Sequence, residues 1–179
     1  MKPARPSLKS FGTCCFALAI VLALASPTYA RLVQLPGFDE LFAKSDLVVI
    51  ARPTTKTTDT SEKTVFPGLI VTGQDGKSRQ VQAIGVETTF TVEKVIAGRL
   101  GGRAFVLHHL RRADPDPWTI NGPLLVSFGP SSNTGRGILL FLVREKDGRY
   151  APYSGQTDPG FSIFALQPAP DDHSRAGAG

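Results

Sequence analysis

The chain has 179 residues, with 20 Lys and Arg against 15 Asp and Glu and a formal charge of +5. It is 41% hydrophobic and carries 18 Gly, 14 Pro and 2 Cys. These values exclude a coiled coil, a collagen-like repeat and a wholly disordered chain, and the length suits one domain with small additions.

The first thirty residues have the order of a secretory signal peptide. Lys2, Arg5 and Lys9 form a basic start, and Cys14 to Ala25 is an uncharged apolar run. Thr28 and Ala30 then place small residues where a signal peptidase needs them. A membrane-spanning helix requires about 20 apolar residues. The expectation is therefore cleavage after Ala30, export to the periplasm or the medium, and no lasting membrane span. Cys14 and Cys15 stand at the head of the apolar run, where lipid attachment would leave that run in the mature chain. Removing residues 1–30 would leave 149 residues and lower the charge from +5 to +2. Both cysteines would leave as well. An exported chain of that kind has no disulfide, no thiolate nucleophile and no cysteine metal ligand.

Residues 31–37 read as a lead-in ending in Pro36-Gly37. Phe38, Leu41 and Phe42 follow at helical spacing, with Asp39 and Glu40 early and Lys44 late, as the helix dipole favours. This predicts a short helix over 38–45. Leu47 to Ala51 is continuously apolar and closed by Pro53, which predicts a strand covered on both faces. Residues 54–63 are polar and rich in Thr, and are expected to form a mobile loop. Residues 65–72 and 79–86 read as strands around an Asp75-Gly76 turn. Val86, Thr88, Phe90 and Val92 alternate with Glu87, Thr89, Thr91 and Glu93, which predicts a half-buried strand. Val95-Ile96 breaks the alternation and suggests a bulge, and Gly98 ends the element.

Residues 103–110 form the next expected strand, and the three prolines of 111–123 demand a loop. Leu124 to Phe128 reads as a short strand, followed by a turn-rich loop. Residues 138–143 and 149–153 flank a Lys146-Asp147-Gly148 turn, and 161–166 supply a last strand. The tail, 167–179, has no core-forming residues and is expected to be disordered. Short strands separated by turns, with one helix, predict a mainly β fold. The specific expectation is a small OB-like Greek-key β-barrel over residues 38–166, carrying one short helix.

The stretches SDLVVIARP, ETTFTVEKVIAG and GILLFLVREKDGRYAPYSG resemble exported bacterial domains with an OB-like fold. Those domains are distantly similar to the netrin-like module of tissue inhibitors of metalloproteases. The inhibitors chelate a protease zinc through an N-terminal cysteine. The mature chain here would begin at Arg31 without cysteine, so the resemblance implies the fold and not that activity.

Candidate chemistry is sparse. His108 and His109, with Asp114 and Asp116, offer nitrogen and oxygen donors for a metal. Adjacent strand residues point to opposite faces, so the two imidazoles do not readily share one ion. His173 falls in the tail. Arg99, Arg103, Arg111 and Arg112 form a basic group near Trp118. OB-like domains bind polymers with such charges and stacked aromatics, which makes Arg111, Arg112, Trp118, Tyr150 and Tyr153 the candidate ligand-binding residues. The plainer alternative is solvated loop charge and aromatics covering the ends of the fold. A mature charge near neutral does not favour nucleic acid. Residues 154–159 contain a Ser and an Asp but no nearby His, and no G-x-S-x-G elbow.

The reading that follows is an exported, non-enzymatic binding domain for a protein or an envelope polymer, with no metal and no cofactor expected. One alternative is an exported hydrolase or metal-dependent enzyme using His108 or His109 with Asp114 or Asp116. Another is a structural component of the envelope.

Overall fold

Phe38–Lys44 form helix α1, as the apolar spacing predicts. Strand β1 follows at Leu47–Pro53, β2 at Thr58–Thr72, β3 at Ser78–Gly98 and β4 at Ala104–Arg112. Strands β5 (Ile138–Arg144), β6 (Tyr150–Pro152) and β7 (Ile163–Ala165) complete the order. The computed structural model describes residues 35–72, 75–113, 123–128 and 137–166. The predicted signal peptide and tail lie outside the described residues, as do Asp114, Asp116, Trp118 and His173.

The fold is mainly β with one α-helix among the described residues. Its strands join in the order β1-β3-β4-β6-β5, and β5 returns to pair with β1, so the path closes into a ring. All pairings are antiparallel except that of β4 with β6, where Leu107 meets Tyr150. Strand β2 lies outside the ring, paired only with the first half of β3, and β7 adds to β5.

Burial explains why each strand sits where it does. Val49, Phe90, Phe105, Leu107, Leu140 and Leu142 belong to one buried cluster filling the ring. Phe90 stacks on Phe105 at 5.4 Å and meets Phe128 edge-on at 5.0 Å. The outer face of β1 is covered separately, by Leu41 of α1 over Val48 and Phe141. The continuous apolar run of β1 therefore has a partner on each side, helix without and ring within. A third cluster of Phe66, Leu69, Val81, Ala83 and Leu110 packs the β2–β3 hairpin onto the end of β4.

The pairing of β1 with β3 slips twice and leaves Glu93 and Ile96 without register partners. The second slip is the bulge expected at Val95-Ile96. Gly98 then adopts φ +84, and a Cβ there would collide with the backbone oxygen of Asp46. Only glycine closes that strand against the start of β1.

The structure corrects five expectations. Residues 58–63 are not a loop but the first part of β2, a 15-residue edge strand whose polar side chains face water. Residues 79–98 are one strand, because β2 pairs its first half and β1 its second. Arg111 and Arg112 belong to β4, not to the following loop. Residues 124–128 form no strand. They cross the ring end, held where Thr57 and Phe128 exchange N–H to O=C and N–H to hydroxyl bonds. Finally, Pro159–Ser162 make a single 3-10 turn before β7 takes over.

Candidate functional site

His108 and His109 are consecutive on β4, so their rings leave the strand on opposite sides. His109 points with Phe105 and Leu107 into the ring and is fully buried. Its ring sits edge-on to Phe128 at 5.8 Å. Neither ring nitrogen has a hydrogen-bond partner among the described residues. Burial lowers its pKa from 6.5 to about 4, with a backbone contact at Leu110 opposing the shift and the nearby His108 adding to it. His109 is therefore a neutral imidazole at ordinary pH.

His108 occupies the other face and is only 5% exposed, yet its surroundings are ionic. Its Nδ1 lies 3.0 and 2.9 Å from the two carboxylate oxygens of Glu145. Its Nε2 lies 3.0 Å from Glu62 Oε2. Glu145 thus bonds one edge of the imidazole, while Glu62 lies against the other edge without a hydrogen bond to it. Glu62 comes from β2 and Glu145 from the turn after β5, so the imidazole bridges elements far apart in sequence.

Arg149 extends this arrangement. Its guanidinium donates to Glu87 at 2.6 Å and to Asp147 at 2.8 Å, and lies 3.5 Å from Glu145. Glu87 stands directly opposite His108 across β3 and β4. The Arg149 backbone N–H, followed by its guanidinium charge, holds the Asp147 carboxyl below the usual carboxylate range. Further along β4, Arg111 forms a two-bond fork with Asp59 of β2, and that bond lowers the Asp59 pKa. The result is one mixed-charge face built from β2, β3, β4 and the β5–β6 turn.

The predicted site residues divide accordingly. Arg111 belongs to this face, and Arg112 follows it on β4, half-buried. Tyr150 does not: it is 7% exposed and meets Phe105 edge-on at 5.6 Å inside the ring. Its ring is not free to stack on a ligand. Tyr153 packs beside the α1 cluster and donates its hydroxyl to Glu40 at 3.0 Å. Arg99 and Arg103 lie at the β3–β4 turn, away from Arg111. Trp118 lies outside the described residues, as do the two aspartates of the metal alternative. Among the described residues, no group of three or more His, Cys, Asp or Glu side chains is placed to hold a metal ion.

Sequence reasoning missed Glu62, Glu145 and Arg149 altogether. Glu87 was legible only as the outward position of an alternating strand. A weak signal did exist: Glu145 and Arg149 bracket the Lys146-Asp147-Gly148 turn, which brings them together wherever the turn forms.

Comparison of the chain with family models, with curated proteins and with solved structures finds no match. Among the described residues, no helix is long and apolar enough to cross a membrane.

Proposed function

We propose that this chain is an exported, non-enzymatic binding domain of OB-like Greek-key architecture, whose ligand is a protein or an envelope polymer. One observation carries the reading. The ring closes through five strands, and the face formed by its second and third members is lined by an ordered set of charged side chains. Domains of the OB type bind on that face, between the loops after the first and fourth ring strands. Here the first of those connections contains β2 with Asp59 and Glu62, and the other contains Glu145, Asp147 and Arg149. They converge on His108 and Arg111 of β4.

The chemistry of that face indicates the kind of ligand. Carboxylates from Asp59, Glu62, Glu87, Glu145 and Asp147 face cations from Arg111 and Arg149. A nucleic acid would meet repulsion from most of these groups. A polar partner with both charges fits, because it can exchange the internal pairs for its own. The histidines also favour binding over catalysis. His108 has its Nδ1 held by Glu145 and its Nε2 buried beside Glu62 without a hydrogen bond, and His109 is sealed in the ring.

The test is affinity capture from envelope fractions with crosslinking and mass spectrometry, which also reads the N-terminus of the exported chain. A partner held by the wild type and released by Glu145→Gln or Arg149→Ala is the expected result. Capture that is indifferent to both substitutions would remove this face from the binding role.

A further inference from the structure

The ring end beside His109 is closed by a segment that belongs to no strand. Residues 123–128 read Pro-Leu-Leu-Val-Ser-Phe and carry no charge. Phe128 is buried and Val126 packs on the ring core, while Leu125 packs on the β2–β3 hairpin cluster. The ends of the segment are tied by isolated hydrogen bonds and not by a ladder. At one end, Phe128 N–H donates to the Thr57 hydroxyl at 3.2 Å, and the Phe128 carbonyl accepts the Thr57 N–H at 3.1 Å. At the other, Leu124 N–H donates to the Asp158 carboxylate at 3.1 Å, and the Leu124 carbonyl accepts the Gly160 N–H at 3.2 Å. Strands β3 and β4, by contrast, pair without a register break from Ala83 and Arg112 to Thr91 and Ala104.

His109 lies against Phe128, fully buried, with both ring nitrogens unpartnered among the described residues. The groups around it offer no counter-charge inside the ring. On β4, His108 points to the opposite face and Arg111 follows two residues on. Across the ladder, β3 presents uncharged Val86, with Ile84 and Thr88 on the same face. Asp59 and Lys63 of β2 stand opposite Val86 and Ile84, and Asp59 is already forked to Arg111. Tyr150 meets Phe105 in the ring, and Asp158 faces the segment at Leu124.

A second proton on His109 would place a charge in an apolar wall with no acceptor for its N–H groups. Residues 123–128 can leave that wall without breaking a strand pairing, and their departure brings water to the imidazole. We propose that residues 123–128 are an acid-released strap: protonation of His109 lifts Phe128 from the ring end while the strands stay paired. The opened end presents Phe90 and the His109 ring to solvent. The device is independent of what the His108 face binds.

The experiment is residue-resolved hydrogen exchange on the full chain from about pH 7 to pH 4, each rate corrected for its intrinsic pH dependence. The amides of Thr57, Leu124 and Phe128 should lose protection roughly tenfold per pH unit below 6.5, the ordinary imidazole value. Low urea should not change that loss, because a local opening exposes little surface. Strand amides of β3 and β4 should keep higher protection, which urea lowers. His109→Phe should abolish the pH dependence at the strap. Asp158→Asn keeps an acceptor for Leu124 but cannot titrate, and should leave the dependence in place. The wild type decides the matter even if a variant folds poorly. Strap protection that is constant across this range overturns the inference, as does protection that falls only together with the strand amides and with equal urea sensitivity. A pH dependence that survives His109→Phe and vanishes in Asp158→Asn also overturns it, since the carboxylate would then be the trigger.

Discussion

His108 and His109 are one peptide bond apart and inhabit opposite solvents. One is bonded by Glu145 and flanked by Glu62 at the edge of an ionic face. The other faces phenylalanine rings, with no hydrogen-bond partner among the described residues. The same side chain, placed on two sides of one strand, becomes a cross-brace in one case and a dry core filler in the other. The difference lies in what the neighbouring strands bring. Inside the ring, β1, β3 and β5 supply Val49, Phe90 and Leu140. Outside it, β2, β3 and the β5–β6 turn supply Glu62, Glu87 and Glu145. The inner face rests on apolar burial, which is non-directional and large. The outer face rests on paired charges, whose net contribution is smaller and sensitive to salt.

The sharpest way to break the comparison is to cut into the inner face. Phe90 is fully buried between Phe105 and Phe128, so Phe90→Ala should cost about 3–5 kcal/mol in denaturant unfolding. A loss below 1 kcal/mol, on the scale of ordinary surface changes, would mean the ring is not the main core.

The next effect is set by pH. Unfolded His109 takes up its proton near 6.5, and the folded form only near 4. Between those values the unfolded state binds more protons, so stability falls as pH falls. The contribution is fully present above 6.5 and is gone below the folded value. A gap of this size corresponds to roughly 3 kcal/mol. His109→Phe should flatten that part of the stability profile. Because it also removes two orphaned nitrogens, it should leave stability at neutral pH unchanged or higher. A wild-type profile that matches the variant through that window would refute the burial of a neutral imidazole.

On the outer face, Glu145→Gln withdraws a carboxylate from His108 and Arg149 together. The expected loss is about 1–2 kcal/mol, since one partner of a buried imidazole is weakened and not deleted. Raising the salt concentration should narrow the gap between variant and wild type, whereas Phe90→Ala should keep its full effect. The smallest effect belongs to the exposed fork of Arg111 and Asp59. A double-mutant cycle with alanine at both positions should return a coupling of about 0.2–1 kcal/mol.

Much of the framework was legible from local pattern. The 3.6-residue spacing of Phe38, Leu41 and Phe42 marked α1, and the unbroken run of 47–51 marked a strand covered twice. The alternation of 86–93 marked the inner and outer faces of β3 correctly. The failures have a common cause. Residues 58–63 carry no apolar alternation because β2 is an edge strand whose first part buries little and is held largely by polar side chains, such as Thr60 on the Gly85 carbonyl and Asp59 on Arg111. Leu124 to Phe128 has a strand's composition, yet it spans the ring end without joining a ladder. Tyr150 sits among polar residues in sequence and looks exposed, but the parallel contact of β6 with β4 turns it inward. The ionic face was the least legible part. Its members come from four separate segments, and no local spacing relates Glu62 to Glu145.

By itself, then, the sequence determined which segments become strands with a buried side, where the helix lies and where Gly98 must turn. These follow from side-chain periodicity and backbone sterics, which act within a few residues. Only the tertiary structure decided that β5 closes back on β1, that the β2–β3 hairpin packs onto β4, and that His108 meets carboxylates while His109 meets none. Those outcomes depend on the register of strands separated by up to about a hundred residues. Register is a property of the packed ring as a whole, because a shift of one residue exchanges every inward side chain for an outward one.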